Sequence, residues 1–382
     1  MPRIYLDNAA TSWPKPAVVY DAIDRYQREV GAAAGRGAYD SAGEAQRVVT
    51  RVRGGVARLL GVSDPNRIIF TASGTESLNH AIFGLVFPGD HVVTTVFEHN
   101  SVLRPLAMLR DTAGVKVDYA SCNESGVVDP QAIADLIRPD TKLVAVTSAS
   151  NVTGALQDIA AIGAICRERN VPLLVDAAQS LGHHRLDVVA AGVSLLAAPG
   201  HKGLLGPLGV GVLYVAPGVE ERLRPLQYGG TGLSSDQETP PTNLPEGYEA
   251  GNLNVPALAG LAAGIDWLVD SHSSDQSGEA TGQLLKGLTG IVGVQVHGPA
   301  AAERRMPVVS FAVEGYDPQE VAAILATAGI ECRAGLHCSP RMHTALGTDK
   351  RGGTVRLSPG RTTTTDEIAT TLELVRQLAA AG

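Results

Sequence analysis

Three short segments carry residue types that chemistry needs. Thr71-Ala-Ser-Gly-Thr-Glu76 stands between an apolar run and a helical pattern. Its small residues let backbone N–H groups approach an anion, and a helix starting there favours negative charge. Taken alone, Ser73 or Thr75 would cap the helix, with Glu76 in its first turn. Val175-Asp-Ala-Ala-Gln179 ends an apolar strand with an acid, whose buried carboxylate would need a partner. Taken alone, Asp176 is a capping or sheet-edge residue. Pro199-Gly-His-Lys-Gly203 sets a lysine among glycines after another apolar strand. Lys202 is there either as a surface cation or, if buried, as an amine able to form a Schiff base. In this order on one sheet, an anion cup, a strand-end carboxylate and a lysine match pyridoxal 5'-phosphate (PLP). Its phosphate needs N–H donors, its ring nitrogen a carboxylate and its aldehyde an amine.

The elements that must hold these residues follow from hydrophobic periodicity. Strands are expected at Arg67–Thr71, His91–Val96, Lys142–Ser148, Pro172–Asp176, Val193–Ala197 and Gly209–Val215. Helical patterns fall between them at Thr75–Phe87, Ser101–Ala113 and Asp158–Asn170, the last with Ile159, Ile162, Ile165 and Cys166 on one face. Runs such as Leu173-Leu-Val175 suit strands covered on both faces. The alternation predicts an α/β fold: a mostly parallel sheet with helices on both faces. Ligands of such sheets bind beyond the carboxyl ends of the strands.

A Gly-, Thr-, Pro- and Glu-rich stretch, Gln227–Asn254, reads as a long functional loop or domain junction. Beyond it come helices Pro256–Ser271 and Asp275–Leu288, then strands Gly293–His297 and Pro307–Val313. Helix Pro318–Ala328, strand Thr354–Leu357 and helix Thr365–Ala381 follow, with Cys332 placed in a strand. This predicts a large domain of residues 15–255 and a smaller α+β domain of residues 256–382, joined by residues 1–14 and carrying the Cys338 loop.

Composition excludes several classes. The chain has 382 residues, 44% of them hydrophobic and 18% charged, with 43 glycines and 22 prolines. That suits two or three globular domains with many tight turns. A net charge of -8 without a Lys/Arg run argues against nucleic acid, and 4% aromatics against a base-stacking surface. No apolar stretch is long enough to span a membrane, and Met1–Asp7 has no secretory apolar region, so a cytoplasmic location is expected. Four cysteines, Cys122, Cys166, Cys332 and Cys338, make no disulfide framework. The absence of a Gly-Lys dipeptide excludes a Walker loop, and no Gly-x-Gly-x-x-Gly opens a helix after a strand.

From end to end the chain resembles the cysteine desulfurase and selenocysteine lyase family of class V, fold-type I PLP enzymes. The resemblance rests on an ordered set of motifs. They are Tyr5-Leu-Asp-Asn-Ala-Ala-Thr11, Arg36-Gly37, Phe70–Glu76, Glu98-His-Asn100, Ser150-Asn-Val-Thr-Gly154 and Asp176-Ala-Ala-Gln179. Gly200-His-Lys202, Glu249-Ala-Gly251, Arg333-Ala-Gly-Leu-His-Cys338 and Val355-Arg-Leu-Ser358 complete it. The resemblance implies that Lys202 carries PLP, Asp176 pairs with its ring nitrogen, His99 stacks on the ring and Gln179 bonds its phenolic oxygen. Gly74, Thr75 and His201 would hold the phosphate. Asn151 would lie near the substrate carboxylate and Arg356 would clamp it in a bidentate fashion, with Arg333 at the same site.

Cys338 would be the nucleophile. His337, Arg333 and Arg341 beside it would enrich its thiolate; otherwise it is a small buried hydrophobe, as Cys122 and Cys166 are expected to be. Cys332, His337, Cys338 and His343 fit no standard zinc spacing, so no metal is expected. The implied reaction converts L-cysteine to L-alanine and passes sulfur, as a Cys338 persulfide, to an acceptor protein or small thiol, for iron–sulfur clusters or another product. A homodimer is implied, with the Gln227–Asn254 loop completing the partner's site. The alternatives are a selenocysteine lyase, another PLP-dependent C–S lyase of secondary metabolism, or a non-catalytic PLP-binding or zinc-stabilised regulator. Three positions depart from the family pattern: Pro199 replaces a Ser or Thr, Asn252 a Thr that reaches the neighbouring subunit's phosphate, and Asn100 a second His.

Overall fold

The computed structural model describes residues 3–35, 37–232, 236–270 and 275–381. Arg36 of the Arg36-Gly37 motif, part of the Gln227–Asn254 loop and Ser271 at the expected helix end lie outside the described residues. The strands in chain order are β1 (Ile4–Tyr5), β2 (Ile68–Thr71), β3 (His91–Thr95), β4 (Lys116–Ala120), β5 (Thr141–Thr147), β6 (Leu173–Asp176) and β7 (Leu195–Pro199). Then come β8 (Gly211–Val215), β9 (Val294–His297), β10 (Val309–Val313), β11 (Ile330–Glu331), β12 (Arg333–Gly335) and β13 (Thr354–Leu357).

Seven strands form the central sheet in the order β2-β8-β7-β6-β5-β3-β4. β8 runs antiparallel to both its neighbours, and the other pairings are parallel. β6, β7 and β8 are buried along their whole length, as apolar runs covered on both faces must be. β4 is a part-exposed edge strand paired with β3 alone, with Val117 packed against the core. The helix Asp40–Leu60, beyond the elements expected from the sequence, buries Ala42, Ala45, Val49, Val52, Val56 and Leu60 on one stripe.

Packing sorts the helix Val255–Asp270 with the large core. It lies against the helices Ala17–Arg25 and Asp40–Leu60, and its Leu258, Leu261 and Ile265 share a cluster with Val52, Val56 and Leu204. The expected division at 255/256 assigned it to the C-terminal unit. A second core gathers Ile4 and Leu6 with Leu284, Phe311, Leu325, Val355 and Val375. It covers the sheet β12-β13-β10-β9 and the parallel pair β1-β11, which ties the N-terminal segment to the C-terminal unit.

Candidate active site

The parallel geometry sends Thr147, Asp176 and Pro199, the last residues of β5, β6 and β7, to one edge of the sheet. A cavity of about 250 Å³ opens there. Its lining includes Ser73, Gly74, Thr75, His99, Asn151, Asp176, Gln179, His201, Lys202, Arg333 and Arg356. Nearly the whole predicted set thus meets in one place, beyond the strand ends.

The cup forms where β2 turns into the helix Gly74–Leu85. Ser73 is the N-cap and accepts from Glu76 N at 3.1 Å, while the Glu76 carboxylate accepts from Ala72 N at 2.8 Å. A Cβ on Gly74 would stand 3.0 Å from the Pro199 ring, and one on Gly211 would meet the Ser73 backbone at 2.3 Å. Glycine at both places lets the cup press against the ends of β7 and β8. Pro199 therefore packs the cup wall where a hydroxyl was expected. Thr75 Oγ1 pairs with Ser101 Oγ at 2.8 Å, joining the cup to the next helix.

His99 caps the helix Asn100–Ala113 and also faces the cavity. Its Nδ1 accepts from Ser101 N at 3.0 Å, which puts the ring proton on Nε2. Burial, then the Lys202 charge, lowers its pKa to about 4, so the ring is neutral. Burial likewise lowers Lys202 to about 8, opposed by the Asp176 charge. Burial raises Asp176, and the Ala178 N–H, donated to Oδ1 at 2.9 Å, works against that. Its carbonyl accepts from Ser148 N and Oγ, which anchors the strand end. His201 Nδ1 is buried without a partner. Gln179 Nε2 donates to Ala9 O at 3.0 Å, leaving its second amide hydrogen.

Cys338 is half-buried, next to the cavity-lining His337, between β12 and the helix Pro340–Ala345. His337 and Cys338 both take left-handed backbone angles, φ 48° and 60°, rare for non-glycine residues. The turn is held from several sides. Asn151 Nδ2 donates to His337 O at 2.6 Å, Ser339 Oγ donates to Asn151 Oδ1 at 2.8 Å, and Asn100 N donates to Cys338 O at 2.7 Å. Asn151 thus holds the cysteine turn as well as lining the cavity.

Of the three groups expected to favour the thiolate, one reaches the sulfur. Arg333 Nη2 lies 3.7 Å from Cys338 Sγ. His337 instead turns Nε2 to Thr354, and burial holds its pKa well below 6.5, so it brings no charge. Arg341 stacks on the Tyr119 ring at 3.8 Å. Cys332 sits between β11 and β12, not within a strand, and burial pushes its thiol up to about 12. Among the described residues no group of three or more His, Cys, Asp or Glu could hold a metal.

The Aminotransferase class-V family profile matches residues 4–370. The chain belongs to the class-V aminotransferases. Among the relatives of this class-V chain is a probable cysteine desulfurase of Methanothermobacter thermautotrophicus, 37% identical over 100% of this chain and 96% of the relative. A second, from Pyrococcus abyssi, is 34% identical over 98% and 94%. The apo structure of a cysteine desulfurase from Thermococcus onnurineus superposes with a TM-score of 0.92 at 33% identity, covering 100% of this chain and 95% of that one.

Within this class-V chain, Asn252 stands apart from the cavity. It lines another cleft with Glu76, Gln227 and Glu249. Glu249 of the Glu-Ala-Gly motif is structural: it forms a buried ion pair with Arg53 at 2.8 Å and accepts from Phe70 N at 2.6 Å. Asp7, which stands in the Tyr5–Thr11 motif with no role expected of it, pairs with Arg356 at 2.7 Å. Glu98 of the Glu98-His-Asn100 motif likewise had no role expected of it. Glu98 is fully buried beside His99 and accepts from Thr95 Oγ1 at 2.6 Å and Thr147 N at 3.0 Å. An acid between two apolar strands and a buried histidine was the signal available for it.

Proposed function

We infer that the chain is a PLP-dependent cysteine desulfurase that converts L-cysteine to L-alanine and carries the sulfur away as a Cys338 persulfide. The observation that carries this reading is the meeting of Lys202, Asp176, Gln179, His99 and Arg356 on one cavity beside the Ser73–Thr75 cup, with Arg333 of the same lining reaching Cys338. The names of its class-V relatives support it.

The residues present fit PLP. The glycine-walled cup offers helix N-terminal N–H groups to a phosphate, and His201 Nδ1 is buried without a partner. In our reading Gly74, Thr75 and His201 take the phosphate, Asp176 the ring nitrogen, His99 the ring face and Gln179 the phenolic oxygen. Lys202 would hold the aldehyde carbon until the substrate amine takes its place, which frees Nζ. When bound, PLP supplies an electron sink for charge developing at the substrate Cα.

Lys202 Nζ, whose depressed pKa makes a neutral amine accessible, moves the Cα proton. Arg356 and Asn151 bind and orient the α-carboxylate. The Cys338 thiolate attacks the substrate sulfur: an S–S bond forms, the C–S bond breaks with its electron pair going to carbon, and protonation there yields alanine. Arg333 offers the thiolate a charged donor. An acceptor protein or small thiol then removes the sulfur, for iron–sulfur cluster assembly in the cytoplasm. No helix among the described residues is long and apolar enough to cross a membrane.

The same reading makes the enzyme a homodimer in which Asn252 serves the partner's phosphate cup; its place outside this chain's own cavity supports that. We divide the chain into a large cofactor-binding unit that includes the helix Val255–Asp270 and a small unit that carries the Cys338 turn. Borohydride reduction of the PLP-loaded protein followed by peptide mapping tests the cofactor assignment. Label on the Lys202 peptide is expected, and label on any other lysine refutes it.

A further inference from the structure

Arg356 is 2% exposed, so every guanidinium donor must be placed by protein or ligand. Nη1 donates to Asn151 O at 3.1 Å, and Nη2 donates to Asp7 Oδ1 at 2.7 Å. Nε is buried and has no partner. Because the guanidinium is a rigid planar fork, fixing its two terminal nitrogens also fixes the direction of the Nε–H.

Asp7 itself is pinned. Its backbone bridges to Ser358, two residues past Arg356. Asn8 N donates to Ser358 O, Ala9 N donates to Ser358 Oγ, and Ala10 N donates to Asp7 O. The same segment is fastened to the other side of the cavity. Ala9 O accepts from Gln179, while Ser12 N and Oγ donate to the carbonyl of His201, the residue before Lys202. One continuous stretch therefore sets where Arg356 stands relative to Lys202.

We propose that Asp7 is a positioning residue for carboxylate recognition: it locks the Arg356 guanidinium through Nη2, so that the unpartnered Nε edge is what the cavity offers the substrate α-carboxylate. This rests on the reading that Arg356 binds that carboxylate. The geometry also explains why a buried arginine carries a permanent carboxylate partner without losing its place for a second one. Asp7 uses one terminal nitrogen and leaves the adjoining edge.

The test uses the PLP-loaded enzyme and two thiol amines, L-cysteine and cysteamine, which lacks the carboxylate. Asp7→Ala, Asp7→Asn and Arg356→Lys are compared by steady-state kinetics and by cofactor absorbance on titration, with thermal unfolding of each variant. Asp7→Ala should raise KM for L-cysteine about tenfold or more with a smaller change in kcat, as expected when ground-state binding is lost. Cysteamine binding should stay within about twofold, because no carboxylate is involved. Asp7→Asn keeps an oxygen acceptor for Nη2 and should recover most of the L-cysteine affinity. Asp7→Ala with unchanged KM, beside an Arg356→Lys variant with raised KM, overturns the proposal alone. Equal losses for both amines in both Asp7 variants overturn it in favour of a structural role. An unchanged KM in Arg356→Lys removes the reading beneath it and the proposal with it.

Discussion

Arg333 Nη2 stands 3.7 Å from Cys338 Sγ, while neighbouring His337 is neutral and turned to Thr354. If Cys338 is the nucleophile, its one charged neighbour within hydrogen-bond reach among the described residues is this guanidinium. Removing a hydrogen bond to a charged group costs about 1.5–3 kcal/mol. Arg333→Ala should slow persulfide formation about 10- to 100-fold. Single-turnover sulfur transfer, set beside cofactor absorbance on L-cysteine addition, separates this from a binding defect. Equal rates would leave the thiolate without its assigned donor.

The Lys202 amine, lowered to about 8, should capture PLP with a rate that rises with pH and levels off above about 8. The neutral amine is the nucleophile, and its fraction grows as pH passes the pKa. Stopped-flow absorbance on mixing the cofactor-free protein with PLP reads this directly. A rate still climbing toward pH 10.5 would mean that burial does not govern Lys202.

Glu98 gives a stability signature. Burial raises its pKa from 4.5 to about 8, so the folded protein prefers the neutral acid. A raised acid contributes its full stabilisation below the unfolded value of 4.5 and loses it as pH rises through about 8. Glu98→Gln stays neutral throughout and should flatten that part of the stability curve. Denaturant melts between pH 5 and 8 check it; identical slopes in both proteins would show that Glu98 is ionised in the fold.

Asn252 lies outside its own chain's cavity, so the dimer reading assigns it to the partner's cup. Asn252→Ala should lower PLP affinity several-fold while the protein still sediments as a dimer. A fully active monomer at assay concentration would contradict the shared site.

The sheet and most of the site were legible because their signals are local. β5, β6 and β7 are apolar runs, and each ends on or just before a residue the chemistry uses. The role of Asp7 was not legible, because it depends on a bridge to Ser358 and an ion pair with Arg356, both at the far end of the chain. Arg341 and His337 were misjudged since adjacency in sequence says nothing about direction: one stacks on Tyr119, the other faces Thr354. The helix Val255–Asp270 packs into the large cluster, which its sequence could not show because an apolar face does not name its partner.

Cys338 is assigned as the sulfur acceptor within a site whose other groups do not depend on it. Lys202, Asp176 and Arg356 line the cavity and are untouched by Cys338→Ala, and Cys332, with its thiol pushed up to about 12, cannot replace the thiolate. The decisive measurement incubates wild type and Cys338→Ala with L-cysteine and dithiothreitol and follows alanine and sulfide together. The account predicts equal amounts of both products from wild type. In Cys338→Ala both should fall by orders of magnitude, while L-cysteine still perturbs the cofactor spectrum. Near-normal alanine and sulfide from Cys338→Ala would contradict it and make the protein a C–S lyase whose cysteine is structural.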